Sequence, residues 1–147
     1  MESCPNSSVY TQTGALILDT QAGVTVWFRH RLSDPIVIEY VRTIVVDQEK
    51  NDRLSDLNRF WMANEHLFAQ NGSLASYDSL QLYYVGIGGN SNTTTRFRKY
   101  IGTGERRLSQ GHEALSYFLQ PNHPYRIRTI AQKGTVEVYV NGILFFS

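Results

Sequence analysis

The stretch "YRIRTIAQKGTVEVYVNGILFF", residues 125–146, contains three short runs that are rich in β-branched and aromatic residues. Lys133-Gly134 separates the first run from the second, and Asn141-Gly142 separates the second from the third. Asn-Gly favours the left-handed backbone of a two-residue hairpin turn and is a strong hairpin signal. We therefore predict three consecutive antiparallel strands in this stretch.

The same period of two residues recurs along the rest of the chain. "GALILDT" (14–20) and "VTVWFRHRL" (24–32) each predict a strand. "IVIEYVRTIVV" (36–46) is so rich in β-branched residues that it predicts a central strand covered on both faces. "LQLYYVGI" (80–87) and "TTTRFRKYI" (93–101) predict a hairpin around "GGNSN". Because there are almost no crossover helices, the prediction is an all-β fold, a two-sheet antiparallel β-sandwich.

Length and charge limit the classes of function. A chain of 147 residues with 41% hydrophobic composition predicts a single domain over residues 1–147. The formal net charge of +1 provides no global field for nucleic acid or membrane lipid, so neither is an expected partner. "MESCPNSSVY" lacks the features of a signal peptide, and the single Cys4 has no disulfide partner. The apolar ending "NGILFFS" reads as an open sheet edge and indicates missing C-terminal strands.

The strand at residues 93–101 carries the first candidate binding groups. Alternation places Arg96 and Arg98 on one face, with their side chains about 7 Å apart along the strand. Two guanidinium groups so placed can clamp a carboxylate or several hydroxyls. A solvated outer face explains the same pattern, and the sequence leaves both readings open.

Asp56 and Asn58 are candidates for sugar recognition, with Trp61 close by in the sequence. Planar polar groups can bond adjacent sugar hydroxyls, and an aromatic face can stack on the C–H surface of the ring. Alternatively, Asp56 and Asn58 satisfy loop amides and Trp61 belongs to the core. Tyr84 and Asn90, from the 80–101 hairpin, complete the predicted ligand-binding set.

Several catalytic and cofactor sites are disfavoured. "GIGGN" continues with a threonine-rich strand, whereas a phosphate loop continues with Lys-Ser/Thr and a helix. Three carboxylates lie on a strand or near the presumed ligand cleft: Glu39, Asp52 and Asp56. They do not form the strand motif of retaining β-sandwich glucanases. The histidines show no metal-ligand spacing; they are His30, His66, His112 and His123. We expect no cofactor and no metal site.

A polysaccharide lyase is the enzymatic alternative. Such an enzyme needs a group that neutralises a uronate carboxylate and a base near the α-proton. Arg96 or Arg98 could supply the first, and Tyr84 or a histidine could supply the second. The catalytic candidates are therefore Tyr84 and Arg98.

Three stretches, "DRLSDLNRFWMA" (52–63), "YDSLQLYYVGIGGNSNTTTRFRKY" (77–100) and "LQPNHPYRIRTIAQKGTVEVYVNG" (119–142), carry a family resemblance. The chain resembles, from Gly14 to Phe146, a bacterial family of uncharacterised domains with a concanavalin A-like, or galectin-like, jelly-roll fold. Members of that family usually continue past "VNG" with further strands. The resemblance carries over no catalytic residues.

The resemblance implies a carbohydrate context, because members of the family often occur near genes for polysaccharide degradation. It also implies a periplasmic or extracellular location. The expected function is therefore binding or processing of a plant-type or acidic polysaccharide. The alternatives are a lyase that cleaves a uronate-containing glycan by β-elimination and an interaction module without a glycan site.

Overall fold

Two antiparallel four-stranded sheets pack against each other in the computed structural model, which describes residues 1–64, 71–113 and 118–147. The fold is nearly all β, open rather than a barrel, and agrees with the predicted two-sheet β-sandwich. The elements are β1 (Glu2–Ser3), β2 (Ser7–Gln12), β3 (Ala15–Thr20), β4 (Val24–Thr25), β5 (Ile36–Thr43), β6 (Leu57–Trp61), a 3₁₀-helix (Leu74–Tyr77), β7 (Gln81–Gly88), α1 (Gly89–Asn92), β8 (Thr94–Ile101), β9 (Arg106–His112), β10 (Pro124–Gln132), β11 (Thr135–Val140) and β12 (Ile143–Phe146).

Each sheet is a run of hydrogen-bonded antiparallel neighbours. The first sheet has the strand order β12-β11-β10-β5, and the second sheet has the order β6-β7-β8-β9. Two further pairs, β1 with β4 and β2 with β3, form small separate ribbons. The hairpins predicted in 80–101 and 125–146 are confirmed as β7–β8 and as β10–β11–β12.

The two tight turns of the first sheet have the backbone that their residues favour. Lys133 and Gly134 have φ angles of 49° and 80°, and Asn141 and Gly142 have φ angles of 51° and 82°. Consecutive left-handed residues match the twist of a two-residue hairpin, which explains why the Asn-Gly signal identified this turn.

The prediction of one strand over residues 24–32 is wrong beyond its start. β4 ends at Thr25, and Phe28 and Leu32, which lie beyond it, are 66% and 52% exposed. The Trp27 ring turns inward, stacks on Phe60 at 6.3 Å and donates from its Nε1 to Glu2 Oε2 at 2.9 Å. Tertiary packing of Trp27 therefore overrides the local alternation.

The prediction of a doubly covered central strand at residues 36–46 is also wrong. β5 ends at Thr43 and lies at an edge of the first sheet, where it pairs with β10 alone. Val37 and Val41 are 57% and 59% exposed, so one face of this strand meets solvent. β-Branched residues favour strands at an edge as well as in the centre, and composition does not separate the two.

The core between the sheets draws on both of them. Leu57 and Val85 of the second sheet pack with Ile127 and Val138 of the first sheet. A second group of buried side chains, which we call the outer cluster, covers part of the opposite face of the second sheet. Its buried members are Tyr77, Leu80, Leu82, Tyr84 and Tyr100. The second sheet is therefore covered on one face by the core and on part of the other by the chain's own loops.

Side chains of β9 also link the second sheet to β12 of the first sheet. The Gln110 amide donates to the Ser147 carbonyl at 2.6 Å and accepts from the Ser147 N–H at 3.2 Å. His112 Nε2 lies 2.6 Å from the Phe145 carbonyl oxygen. This edge of the sandwich is closed by polar contacts from side chain to backbone.

Candidate functional site

Four of the predicted site residues share the outer face of the second sheet, the face opposite to the core. The strand register places Asn58 of β6 opposite Gly86 of β7, and Gly86 opposite Arg96 of β8. One step along the sheet, Tyr84 of β7 lies opposite Arg98 of β8. Residues in one such row have Cβ atoms roughly 5 Å apart, so these side chains form one continuous surface.

A chain of hydrogen bonds joins three of the predicted residues. The Tyr84 hydroxyl donates to Asn58 Oδ1 at 2.9 Å, and Asn58 Nδ2 donates to Asp56 Oδ2 at 2.7 Å. Gly86 makes room for this arrangement, because a Cβ at that position would lie 2.1 Å from the Tyr84 hydroxyl oxygen. The Asn58 amide is thus held in one orientation between Tyr84 and Asp56.

The Tyr84 hydroxyl is poorly suited to act as a base. Burial raises its pKa above the ordinary tyrosine value, and the nearby Asp56 carboxylate raises it further. The positive charge of Arg98 works in the opposite direction but does not reverse the shift. Tyr84 therefore stays protonated near neutral pH and serves as a hydrogen-bond donor.

Three of the four arginines on β8 and β9 already hold a carboxylate. Arg96 pairs with Glu113 at 2.6 Å. Arg106 makes a bidentate pair with Asp78, with contacts of 2.6 Å and 2.9 Å. Arg107 pairs with Glu105 at 3.0 Å. The positive charges of Arg96, Arg106 and Arg107 are therefore compensated within the chain.

Arg98 differs from these neighbours. Among residues 1–64, 71–113 and 118–147, no carboxylate lies within ion-pairing distance of its guanidinium. Its Nε is buried and has no hydrogen-bond partner there, whereas the side chain as a whole is partly exposed. As far as residues 1–64, 71–113 and 118–147 show, the positive charge of Arg98 is not compensated, and it lies beside the Tyr84, Asn58 and Asp56 chain of hydrogen bonds.

The outer face is open at one end and covered at the other. Tyr77, at the end of the 3₁₀-helix, and Leu80, just before β7, pack on Tyr84 and Tyr100 in the outer cluster. The Tyr84 ring lies 5.4 Å from the Phe60 ring and 5.8 Å from the Tyr100 ring, measured between centroids. These aromatic rings are occupied by one another, so the open part of the face is mainly polar.

Trp61 lies on the other side of the sheet from the predicted binding residues. It is 5% exposed and packs in the core with Tyr83 and Phe97, each at a centroid distance of 5.8 Å from its ring. The Arg59 guanidinium lies 5.1 Å from its ring centre. The structure therefore assigns Trp61 to the core, which was the alternative reading of the sequence, and does not bring it to the outer face.

Asn90 lies with Asp56 at a polar cleft beside the start of β6. The cleft has a volume of about 290 Å³, and its walls come from two segments, the loop before β6 and the α1 turn. It is lined by Arg53, Leu54, Ser55, Asp56, Asn90 and Ser91. Asp56 therefore connects the cleft to the hydrogen-bonded group on the outer face.

Neither a cluster of metal ligands nor a membrane-spanning helix is found among the described residues. Within them, no group of three or more His, Cys, Asp or Glu side chains is arranged to hold a metal ion. His66 lies outside the described residues. None of the helices in the described parts of the chain has the length and apolar composition needed to span a bilayer.

The sequence analysis did not identify Glu113 and Asp78, the carboxylates that pair with Arg96 and Arg106. Glu113 and Asp78 lie 17 and 28 residues from the arginines they bind. It also missed Ser91, which lies beside Asn90 in the turn. A turn rich in asparagine and serine was the available signal, but it indicated backbone geometry and not a cleft.

Comparison with known proteins places this chain in a family. A family model described as "Domain of unknown function (DUF6250)" matches residues 18–147, so the chain belongs to that family. No curated protein and no solved structure matches the chain. Of the expected resemblance to a family of uncharacterised jelly-roll domains, the match to a domain family of unknown function and the β-rich fold are confirmed.

Proposed function

We propose that this member of the DUF6250 family is a carbohydrate-binding β-sandwich domain of the concanavalin A-like kind, which recognises an acidic polysaccharide on its outer face. The observation that carries the proposal is the uncompensated charge of Arg98 beside three neighbouring arginines that each hold a carboxylate. An anionic group of a ligand would supply the partner that the described part of the chain does not.

Arg98 is the proposed anchor for a sugar carboxylate. A guanidinium binds a carboxylate through two parallel N–H bonds, which fixes orientation as well as position. The side chain is partly buried, so its charge is less screened than that of a fully exposed arginine. Arg96 is a weaker candidate because Glu113 already occupies its guanidinium.

Asp56 and Asn58 are the proposed partners of sugar hydroxyls. Asn58 Nδ2 donates one of its two hydrogens to Asp56 Oδ2, which leaves the second hydrogen and Asp56 Oδ1 for a ligand. Both side chains are partly exposed, and the bond from Tyr84 holds the Asn58 amide in place. A preorganised donor and acceptor side by side suit the adjacent hydroxyls of a pyranose ring.

The raised pKa of Tyr84 and its hydrogen bond to Asn58 favour binding over lyase chemistry. A base for proton abstraction works best with a pKa near the operating pH. The pKa of Tyr84 is raised instead, and its hydroxyl is engaged with Asn58. Tyr84 is therefore proposed as a positioning residue, and elimination of a uronate is the secondary proposal.

An interaction module without a glycan site is the remaining alternative. It is favoured by the outer cluster, in which Tyr77 and Leu80 already fill part of the face. The family resemblance of the sequence favours the carbohydrate reading, and with it a periplasmic or extracellular location.

The test is a glycan array followed by isothermal titration calorimetry with acidic polysaccharides. Arg98→Gln should weaken binding by about tenfold or more, since a hydrogen-bonded ion pair contributes roughly 1.5–3 kcal/mol. Arg107→Gln is the matched control, because it removes the same charge from an arginine that pairs with Glu105. Equal losses in the two variants, or no binding to any glycan, would contradict the proposal. Ultraviolet detection of unsaturated uronates on the same substrates would identify a lyase.

A further inference from the structure

The cleft beside Asp56 has walls that are fixed by the protein's own hydrogen bonds. The Arg53 guanidinium donates from Nη2 to the Ala22 carbonyl at 2.8 Å, and the Ser55 hydroxyl donates to the Gly88 carbonyl at 3.1 Å. These contacts tie the loop before β6 both to the loop after β3 and to the end of β7. The cleft is thus a built feature of the fold.

The opposite wall of the cleft is presented by an unusual turn. Asn90 and Ser91 of α1 have φ angles of 50° and 56°, which is left-handed backbone for both residues. Asn92 holds this turn, since its side chain donates to the Leu119 carbonyl and accepts from the Leu119 N–H, both at 2.8 Å. Thr93 adds a bond of 2.8 Å from its hydroxyl to the Asn90 carbonyl.

The groups that line the cleft fall into two sets. Arg53 and Ser55 are committed to backbone carbonyls, as described above. Among the described residues, neither the Asn90 amide nor the Ser91 hydroxyl has a hydrogen-bond partner, and Asp56 uses only Oδ2, toward Asn58. The cleft therefore offers one carboxylate oxygen, one amide and one hydroxyl to a ligand.

These groups select a neutral, hydroxyl-rich ligand. The Asp56 carboxylate repels a second carboxylate, whereas it accepts hydrogen bonds from hydroxyls. An amide both donates and accepts, and so does a serine hydroxyl, which matches the dual character of a sugar hydroxyl. The nearest cation, Arg53, is engaged by the Ala22 carbonyl.

The cleft and Arg98 lie too far apart for one sugar ring. Arg98 is on β8 and Asp56 directly precedes β6, with β7 between these two strands. Neighbouring strands are about 4.8 Å apart, so the backbones of Arg98 and Asp56 are separated by about 10 Å or more. A monosaccharide does not bridge that distance, whereas a disaccharide does.

We infer that the cleft of Asp56, Asn90 and Ser91 is a second sugar subsite, so that the ligand has at least two residues, a uronate at Arg98 and a neutral sugar in the cleft. The inference rests on the proposed function. In it, Asn58 lies between the two subsites, and Asp56, at the edge of the cleft, binds a hydroxyl near the glycosidic bond. The chain of the polysaccharide then runs across the strands from β8 to β6.

The test compares glucuronic acid with an aldobiouronic acid, in which glucuronic acid is linked to a neutral hexose. Isothermal titration calorimetry should show the disaccharide binding at least about tenfold more tightly than the monosaccharide. Asn90→Gly keeps the left-handed backbone and removes the amide, and it should lower the affinity for the disaccharide alone. Asn141→Gly, in a left-handed turn of the first sheet, is the control.

The outcomes separate the two proposals. Equal affinities for the two sugars, or a disaccharide affinity unchanged in Asn90→Gly, would overturn the second subsite while the dependence on Arg98 still supports the proposed function. No binding of either sugar or of longer acidic glycans would overturn both. Thermal unfolding of Asn90→Gly, compared with the unmodified protein, verifies that the variant is folded.

Discussion

The Tyr84 hydroxyl donates a hydrogen bond of 2.9 Å to Asn58 Oδ1 and so joins β7 to β6, the strand at the edge of the second sheet. Because Asn58 also donates to Asp56, both ends of its amide are oriented by neighbours. The bond can exist only because Gly86, which lies opposite Asn58 in the register, leaves space for the Tyr84 ring.

Tyr84→Phe should lower the free energy of unfolding by about 1 kcal/mol, because it removes one partly buried hydrogen bond. Affinity for an acidic glycan should fall only a few fold, since Asn58 remains but loses its fixed orientation. Chemical denaturation and calorimetry measure the two effects. Tyr139→Phe removes a hydroxyl whose bond goes to Glu137, and it serves as the control. Complete loss of a measurable lyase activity in Tyr84→Phe would instead assign Tyr84 a catalytic role.

Gly86→Ala should destabilise the protein more than Tyr84→Phe does, by roughly 1–3 kcal/mol, because the added methyl displaces the Tyr84 ring. Gly89→Ala is the matched control, because its Cβ would lie 3.1 Å from the nearest atom, the Thr94 hydroxyl oxygen, compared with 2.1 Å at Gly86. Denaturant unfolding measures both variants. A Gly86→Ala protein as stable as the unmodified one would show that Tyr84 does not occupy the space above Gly86.

Glu113→Gln should raise the affinity for acidic glycans a few fold, because it releases Arg96 to bind a second anionic group. The Glu113 side chain is 72% exposed, and exposed ion pairs contribute about 0–1 kcal/mol, so stability should change little. Glu105→Gln, which releases Arg107, is the control. A weaker affinity in Glu113→Gln would show that the ion pair supports the site and does not compete with the ligand.

Alkaline pH should destabilise the fold. Burial raises the pKa of Tyr77 to about 12 and raises the pKa values of Tyr84 and Tyr100 as well. Above the ordinary tyrosine pKa of about 10, the folded protein therefore binds more protons than the unfolded chain does, and the free energy of unfolding falls as pH rises.

Urea unfolding at a series of pH values measures this dependence, and ultraviolet absorbance of phenolate follows the titration. Tyr84→Phe should make the decrease less steep. A free energy of unfolding that stays constant between about pH 9 and about pH 12 would contradict the assigned pKa shifts.

Local signals in the sequence predicted the hairpins, because turn residues and alternation act over a few positions. The Asn141-Gly142 turn and the face shared by Arg96 and Arg98 are examples. Sheet order was not predictable in this way. β5 has the composition of a central strand, yet its place at the edge depends on its pairing with β10, more than 80 residues later in the sequence.

The sequence predicted which residues belong to the candidate site, but it did not predict which of the arginines there form ion pairs. Alternation placed Arg96 and Arg98 on one face, but it did not show that Arg96 pairs with Glu113 while Arg98 has no carboxylate partner among the described residues. That difference depends on Glu113 and Asp78, which reach their arginines through loops. The position of Trp61 was not predictable either, because an aromatic residue near polar ones has the same sequence pattern whether it faces the core or a ligand.

The compensation of Arg96, Arg106 and Arg107 by neighbouring carboxylates also bears on the kinetics of recognition. With a formal net charge of +1, the protein exerts little long-range attraction on a polyanion. An anionic chain that reaches Arg98 therefore arrives by unassisted diffusion, at a rate that added salt hardly changes. Under the proposed function, we therefore expect discrimination among polyanions to depend on how long each one stays bound and not on how fast it arrives.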